Sequence, residues 1–148
     1  MPAKRIVLVG LGKKPLARLD AIRQAMGTVS KVMRSLELTS FTLVAPDRGI
    51  AGMPLDTTIQ AMIEGCLLGL YQFLHYQPSR AKETKLVQVI TLVTRDEKAV
   101  SMVRAGAQRG HTIAEATNSV RDLCNHPSNV LTPTTLAAEA KTIAKARS

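Results

Sequence analysis

Apolar and polar positions along this chain fall into two alternating kinds of segment. Residues 4–11, 40–45 and 85–94 are short, nearly continuous apolar runs rich in Val, Ile and Leu, the pattern of strands buried on both faces of a parallel or mixed sheet. Between them, apolar residues recur at steps of three and four. Leu19, Ile22, Met26, Val29, Met33 and Leu36 make one stripe, with Arg23, Lys31 and Arg34 grouped on another side of the same predicted helix. Ile59, Met62, Ile63, Cys66, Leu67, Leu70, Phe73 and Leu74 make a second, which Asp56 is placed to cap. In that helix Gly65 and Gly69 leave room for a close neighbour, and Tyr71 and Phe73 are expected in the core or an interface. A third pattern runs from Asp96 to His126, with Ala105, Gly106, Ala107, Gly110 and Ala114 gathered in its middle; there it should pack tightly or bend. Residues 46–54 and 76–83 read as loops. The order is three strand–helix units and a final helix, which predicts an α/β layered domain.

The clearest punctuation lies near the C-terminal end. Arg121 to Asn125 continue the third helical pattern, His126-Pro127 stop it, and Thr132-Pro133 open another helix with a capping hydroxyl and a first-turn proline. This stop and restart predicts a hinge.

Composition narrows the class. A chain of 148 residues with 45 % hydrophobic content can bury one domain's core. No apolar run approaches the roughly 20 residues of a membrane span, and no signal peptide opens the chain, so a cytoplasmic protein is expected. Cys66 and Cys124 sit in apolar helical patterns without C-x-x-C spacing, which predicts buried, reduced thiols.

Charge changes the picture more. The net charge is +9. Residues 1–34 hold Lys4, Arg5, Lys13, Lys14, Arg18, Arg23, Lys31 and Arg34 against Asp20 alone, eight bases to one acid, leaving +7 there. Such an excess favours anionic partners through a salt-sensitive field. Lys13, Lys14, Arg23, Lys31 and Arg34 form the candidate anion-binding surface, although a solvated helix face is the ordinary outcome for such a group. With two Tyr, two Phe and no Trp, the stacking platforms of single-strand binders are nearly absent.

Catalytic signatures are missing from the pattern. Gly10, Gly12 and Lys13 follow a predicted strand, but a dinucleotide fingerprint needs glycine where Pro15 stands, and a P-loop needs glycine at Val7 and a hydroxyl at Lys14. A plain strand-to-helix turn is the better reading. His75, His111 and His126 show no metal-ligand spacing, Ser101, Ser119 and Ser128 lack a nucleophile setting, and no carboxylate pair stands out for acid and base roles.

Three segments in order carry a family likeness: Val9 to Lys14 after a strand; Glu64, Gly65, Cys66, Gly69, Tyr71 and Phe73 in a helix; and Arg121 to Asn125 with Pro127, Asn129 and Thr132-Pro133 at the hinge. In these the chain resembles the N-terminal domain and linker of the leucyl (cytosol) aminopeptidases. The resemblance implies a three-layer, macro-domain-like mixed sheet flanked by helices, incomplete on its N-terminal side because the family places several dozen residues before the strand carrying Gly10. It implies a partial N-terminal domain over residues 1–126, then a linker and first helix over 127–148. Family members are cytoplasmic hexameric hydrolases that remove N-terminal residues such as leucine from peptides, using two divalent metals, zinc or manganese, in a C-terminal domain. That domain's lysine, aspartates, glutamate and Asn-Thr-Asp-Ala-Glu-Gly-Arg signature are absent here. No catalytic, cofactor-binding or metal residue is therefore carried over, and this segment alone is expected to be inactive. Its expected partners are the catalytic domain and further copies of itself. The alternative from charge alone is a basic, non-enzymatic nucleic-acid-binding module.

Overall fold

The computed structural model describes residues 3–12, 18–50 and 52–145. Along them run α1 (Leu19–Ser35), β1 (Ser40–Val44), α2 (Leu55–Leu70), α3 (Pro78–Glu83), β2 (Val89–Val93), a 3₁₀ turn (Glu97–Ala99), α4 (Val100–Asn125) and α5 (Pro133–Lys145). The architecture is mixed α/β and mostly helical. Its two strands pair in parallel, from Ser40 opposite Val89 to Val44 opposite Val93.

Two of the three expected strands form. Residues 4–11 do not: they stay irregular, with Val9 and Leu11 partly packed on the core and Ile6 and Leu8 left 80 % and 92 % exposed. A strand exists through ladder hydrogen bonds to a neighbour, and no such ladder reaches this segment among the described residues. The two that form are not buried on both faces. Phe41, Leu43, Ile90 and Leu92 face the core, whereas Val44, Val89 and Val93 are exposed.

α2 is the centre of the fold, with α1 on one side and α4 on the other. Small residues make both approaches possible. A Cβ added at Gly65 would lie 2.4 Å from the Arg23 carbonyl oxygen, and one at Gly69 2.8 Å from Gly27 Cα. On the opposite side Gly106, Gly110 and Ala114, at four-residue steps along α4, are buried against α2. The small cluster thus serves close packing, and α4 runs unbroken through it. Ile22, Met26, Val29 and Met33 from α1 join Ile59, Met62, Ile63 and Cys66 from α2 in the core.

Helix ends follow local chemistry in some places and tertiary contacts in others. α1 closes in a Schellman motif, in which Leu38 N–H donates to Met33 O and Glu37 N–H to Arg34 O, with Glu37 at φ 52°. α2 starts one residue before Asp56, with Pro54 at the cap position. Asp56 is therefore not the cap; it sits in the first turn, accepts from Thr57 N–H and holds Arg109. α2 also stops at Leu70, short of the Leu74 that its apolar period suggests. Its terminal carbonyls explain this: Asn118 Nδ2 donates to Leu67 O at 3.4 Å and Arg121 Nη1 to Leu68 O at 3.1 Å. Side chains of α4 thus satisfy groups that any helix end leaves unpaired. Tyr71 and Phe73 consequently lie beyond the helix rather than in it. Residues 78–83, read as loop, form the short α3, because Pro78 at the first helical position is a helix start as readily as a turn.

The expected helix stop and restart form. His126 is extended before Pro127 and ends α4, and α5 opens at Pro133 with Thr135 N–H donating to Thr132 Oγ1 and Thr132 N–H to Thr135 Oγ1. No described residue of α5 is buried. Among the described residues no helix is long and apolar enough to cross a membrane.

Candidate functional site

Three of the five predicted surface cations, Arg23, Lys31 and Arg34, line one cleft beside α1 and α2; Lys13 and Lys14 lie outside the described residues. The cleft has a volume of about 640 Å³ and takes in Arg121 from α4 and Tyr71 just past α2. Gly27, Gly65 and Gly69 form part of its wall, and at Gly65 and Gly69 the close helix contact leaves no room for a side chain.

The four cations are not equivalent. Arg23 is committed: Nε donates to Glu64 Oε2 at 2.5 Å and Nη1 to Asp20 Oδ1 at 2.7 Å. Glu64 is only 3 % exposed, and its second oxygen accepts from Gln60 Nε2 at 2.7 Å. A buried carboxylate needs such partners. The hydrogen bond to Glu64, set against partial burial, holds the Arg23 guanidinium above its ordinary pKa. Arg121 is held in a different way. Its guanidinium carbon lies 3.8 Å from the Tyr71 ring centroid, and Nη1 donates to Leu68 O and to Asn118 Oδ1, both at 3.1 Å. Tyr71 is fixed in turn, its hydroxyl donating to Asp122 Oδ1 at 2.7 Å and accepting from Asn125 Nδ2 at 3.0 Å. Partial burial, with Asp122 beside it, raises the Tyr71 pKa. Lys31 and Arg34 make no side-chain hydrogen bond or ion pair among the described residues.

Sequence reasoning grouped the α1 cations but missed Arg121 and Tyr71. Arg121 was visible only as part of the hinge, and Tyr71 as an apolar helix position. Their partnership spans fifty residues, a separation that leaves no periodic trace.

A second cluster forms where α2 and α4 end. His75 and His126 bring their ring centroids to 5.1 Å, Tyr76 Oη lies 2.8 Å from His126 Nδ1, and Phe73 stands edge-on to His126 at 5.4 Å. His111 lies apart on α4, 3.3 Å from Glu115. Among the described residues no three of His, Cys, Asp and Glu converge as metal ligands. Both cysteines are free, but only Cys66 is buried as expected; Cys124 is exposed, because α4 turns this end of its apolar pattern away from the core. Burial pushes the Cys66 thiol up to about 11, partly offset by the hydrogen bond from Ser30.

Comparison with known proteins gives a consistent picture. The family "Cytosol aminopeptidase family, N-terminal domain" matches residues 1–80. A probable cytosol aminopeptidase of Roseiflexus castenholzii is 35 % identical over 147 residues, covering 99 % of this chain and 30 % of that protein. One from Alkaliphilus metalliredigens is 34 % identical over 148 residues, covering 98 % of this chain and 29 % of the relative. Among solved structures, the bottromycin maturation enzyme BotP superposes with a TM-score of 0.76 at 25 % identity, over 94 % of this chain and 28 % of that one. BotP in complex with Mn gives a TM-score of 0.74 at 27 % identity, over 93 % of this chain and 27 % of that one. The chain therefore spans less than a third of the length of the curated relatives it matches.

Proposed function

The chain belongs to the cytosol aminopeptidase family, as its N-terminal domain, and from that premise we propose that it is the non-catalytic part of a metal-dependent leucyl aminopeptidase. The carrying observation is the alignment itself: relatives match 98–99 % of this chain, yet it accounts for only 29–30 % of their length. In this reading the rest of the polypeptide removes N-terminal residues from peptides in the cytosol. Residues 1–126 form a partial macro-like domain, and 127–148 the linker and first helix towards the catalytic domain. The described side chains do not fit a two-metal centre, since no three candidate ligands converge. The zinc or manganese pair is therefore assigned to the catalytic domain, and no chemical step is assigned to this chain. Its role is assembly of the hexamer. The exposed valines on the outer face of the β1–β2 sheet and the wholly unburied α5 support that role, being apolar surface of the kind partners cover.

The test is hydrolysis of a leucyl chromogenic amide with added manganese or zinc. The 148-residue chain should be inactive and a polypeptide carrying the catalytic domain active. Turnover by the chain alone would overturn the assignment. Light scattering on the longer polypeptide tests assembly: a hexamer is expected with this domain, and a monomer at high concentration would refute the assembly role.

A further inference from the structure

We propose that the cleft lined by Lys31, Arg34 and Arg121 binds a phosphoryl dianion carried by a small molecule. The charge of Arg23 is outweighed by the two carboxylates that hold it, Asp20 and Glu64, leaving one negative charge. α1 and α2 both end at this cleft, and each helix C-terminus contributes about half a negative charge. Lys31, Arg34 and Arg121 supply three positive charges against these, and Asp122, which holds the Tyr71 hydroxyl, offsets one of them, so the fixed charges of the cleft roughly balance. What the cleft offers an anion is therefore the placement of cations whose donors are unpaired.

Geometry favours a small ligand. The cations face a concavity of about 640 Å³ rather than a convex surface, within the range of roughly 300–1,000 Å³ typical of small-molecule sites. Tyr71, the one aromatic ring in the wall, has one face covered by Arg121, and a single half-covered ring is a poor stacking platform beside the several that single-strand binders use. Lys31 and Arg34 stand three residues apart on α1, about 4.5 Å along its axis, close enough to converge on one anionic group. Arg121 is pre-organised: the Tyr71 stack and two hydrogen bonds from Nη1 fix its plane, while Nη2 and Nε donate to nothing among the described residues. Two free donors on a fixed guanidinium match the paired oxygens of a phosphoryl group. Gln24 and Thr28 add polar wall on the same side of α1.

The experiment is a ¹H–¹⁵N chemical-shift titration of the 148-residue chain, including the Arg Nε–Hε signals, with inorganic phosphate and with glycerol 2-phosphate. Saturable shifts are expected at residues 28–35, 68–71 and Arg121, and the double variant Lys31→Ala with Arg34→Ala should weaken binding by about tenfold. Those two side chains have no partners among the described residues, so the variant should fold normally, with the amide spectrum of the free protein as the check. The control is Arg80→Ala with Lys82→Ala on the exposed α3, which removes the same charge and should change affinity by less than about twofold. Equal affinities for the two probes would place recognition in the phosphoryl group alone; a tighter ester would show that the carrier is also read. Non-saturating shifts scattered over basic residues, an unaltered affinity in the cleft variant, or an equal loss in the control would each overturn the proposal.

Discussion

Two alanine substitutions at the α1–α2 contact should have opposite signs. At Gly65 a Cβ would stand 2.4 Å from the Arg23 carbonyl oxygen and 2.9 Å from Met26 Cβ. Ordinary van der Waals contact begins near 3.4 Å, so the helices would have to part by about 1 Å. Overpacking of this kind costs about 1–3 kcal/mol, and the upper end applies because the atom met is backbone and cannot swing aside. Alanine's better helix propensity returns about 1 kcal/mol, for a net loss of about 2 kcal/mol. At Gly27 the nearest atom is Gly65 O at 3.7 Å, an ordinary contact. Only the propensity remains there, and Gly27→Ala should gain about 0.5–1 kcal/mol. Urea unfolding followed by far-ultraviolet circular dichroism measures both. With a urea dependence of about 1–3 kcal/mol per molar, the two midpoints should separate by about 1–3 M. Midpoints moving in the same direction by similar amounts would refute the close approach of these backbones.

Other outcomes follow from single contacts. At pH 8 an aromatic disulfide reagent should titrate Cys124 at once and Cys66 only on unfolding, because one thiol is exposed and the other buried. The Cys66 pKa is raised from 9.0 to about 11 in the folded protein, so the stability it contributes is complete below pH 9 and is lost as pH rises to 11. The loss is about 3 kcal/mol, and a Cys66→Ser variant should lack that alkaline decline in its urea midpoint. The Arg109 guanidinium, and then the Thr57 N–H, hold the Asp56 carboxyl below its ordinary 3.8. Its contribution is therefore present above pH 3.8 and declines as pH falls towards and through the folded value, so the advantage of wild type over Asp56→Asn in urea midpoints should be smaller at pH 3 than at pH 7. Thr132→Ala should loosen the start of α5 by about 1 kcal/mol, read as faster amide exchange at residues 134–138 with the rest unchanged.

Each element that the sequence specified by itself has a local cause. α1 and α4 follow from their apolar periods, the hinge from His126-Pro127 and Thr132-Pro133, and β1 and β2 from short branched apolar runs. The small residues of α2 and α4 marked where helices approach before any neighbour was known. The cations of α1 were likewise visible as a group, and the ordered segments around Gly10, Gly65 and Arg121 pointed to the family that the comparisons show.

Tertiary structure decided what depends on distant partners. The apolar period of α2 continues to Leu74, yet the helix stops at Leu70, where Asn118 and Arg121 of α4 take its last carbonyls. Residues 4–11 have the composition of a strand but, among the described residues, no ladder, since a strand is a property of a pair. Asp56 looked like a cap and instead anchors Arg109, fifty-three residues away. Arg23 looked like a free surface cation and instead neutralises a buried Glu64, while Arg121, with no obvious place in a charge pattern, is the guanidinium left fixed and partly free. Period, capping and composition act within a few residues and are written locally. Which cation is consumed and which remains available is set by side chains forty to fifty positions apart, and only their meeting in space decides it.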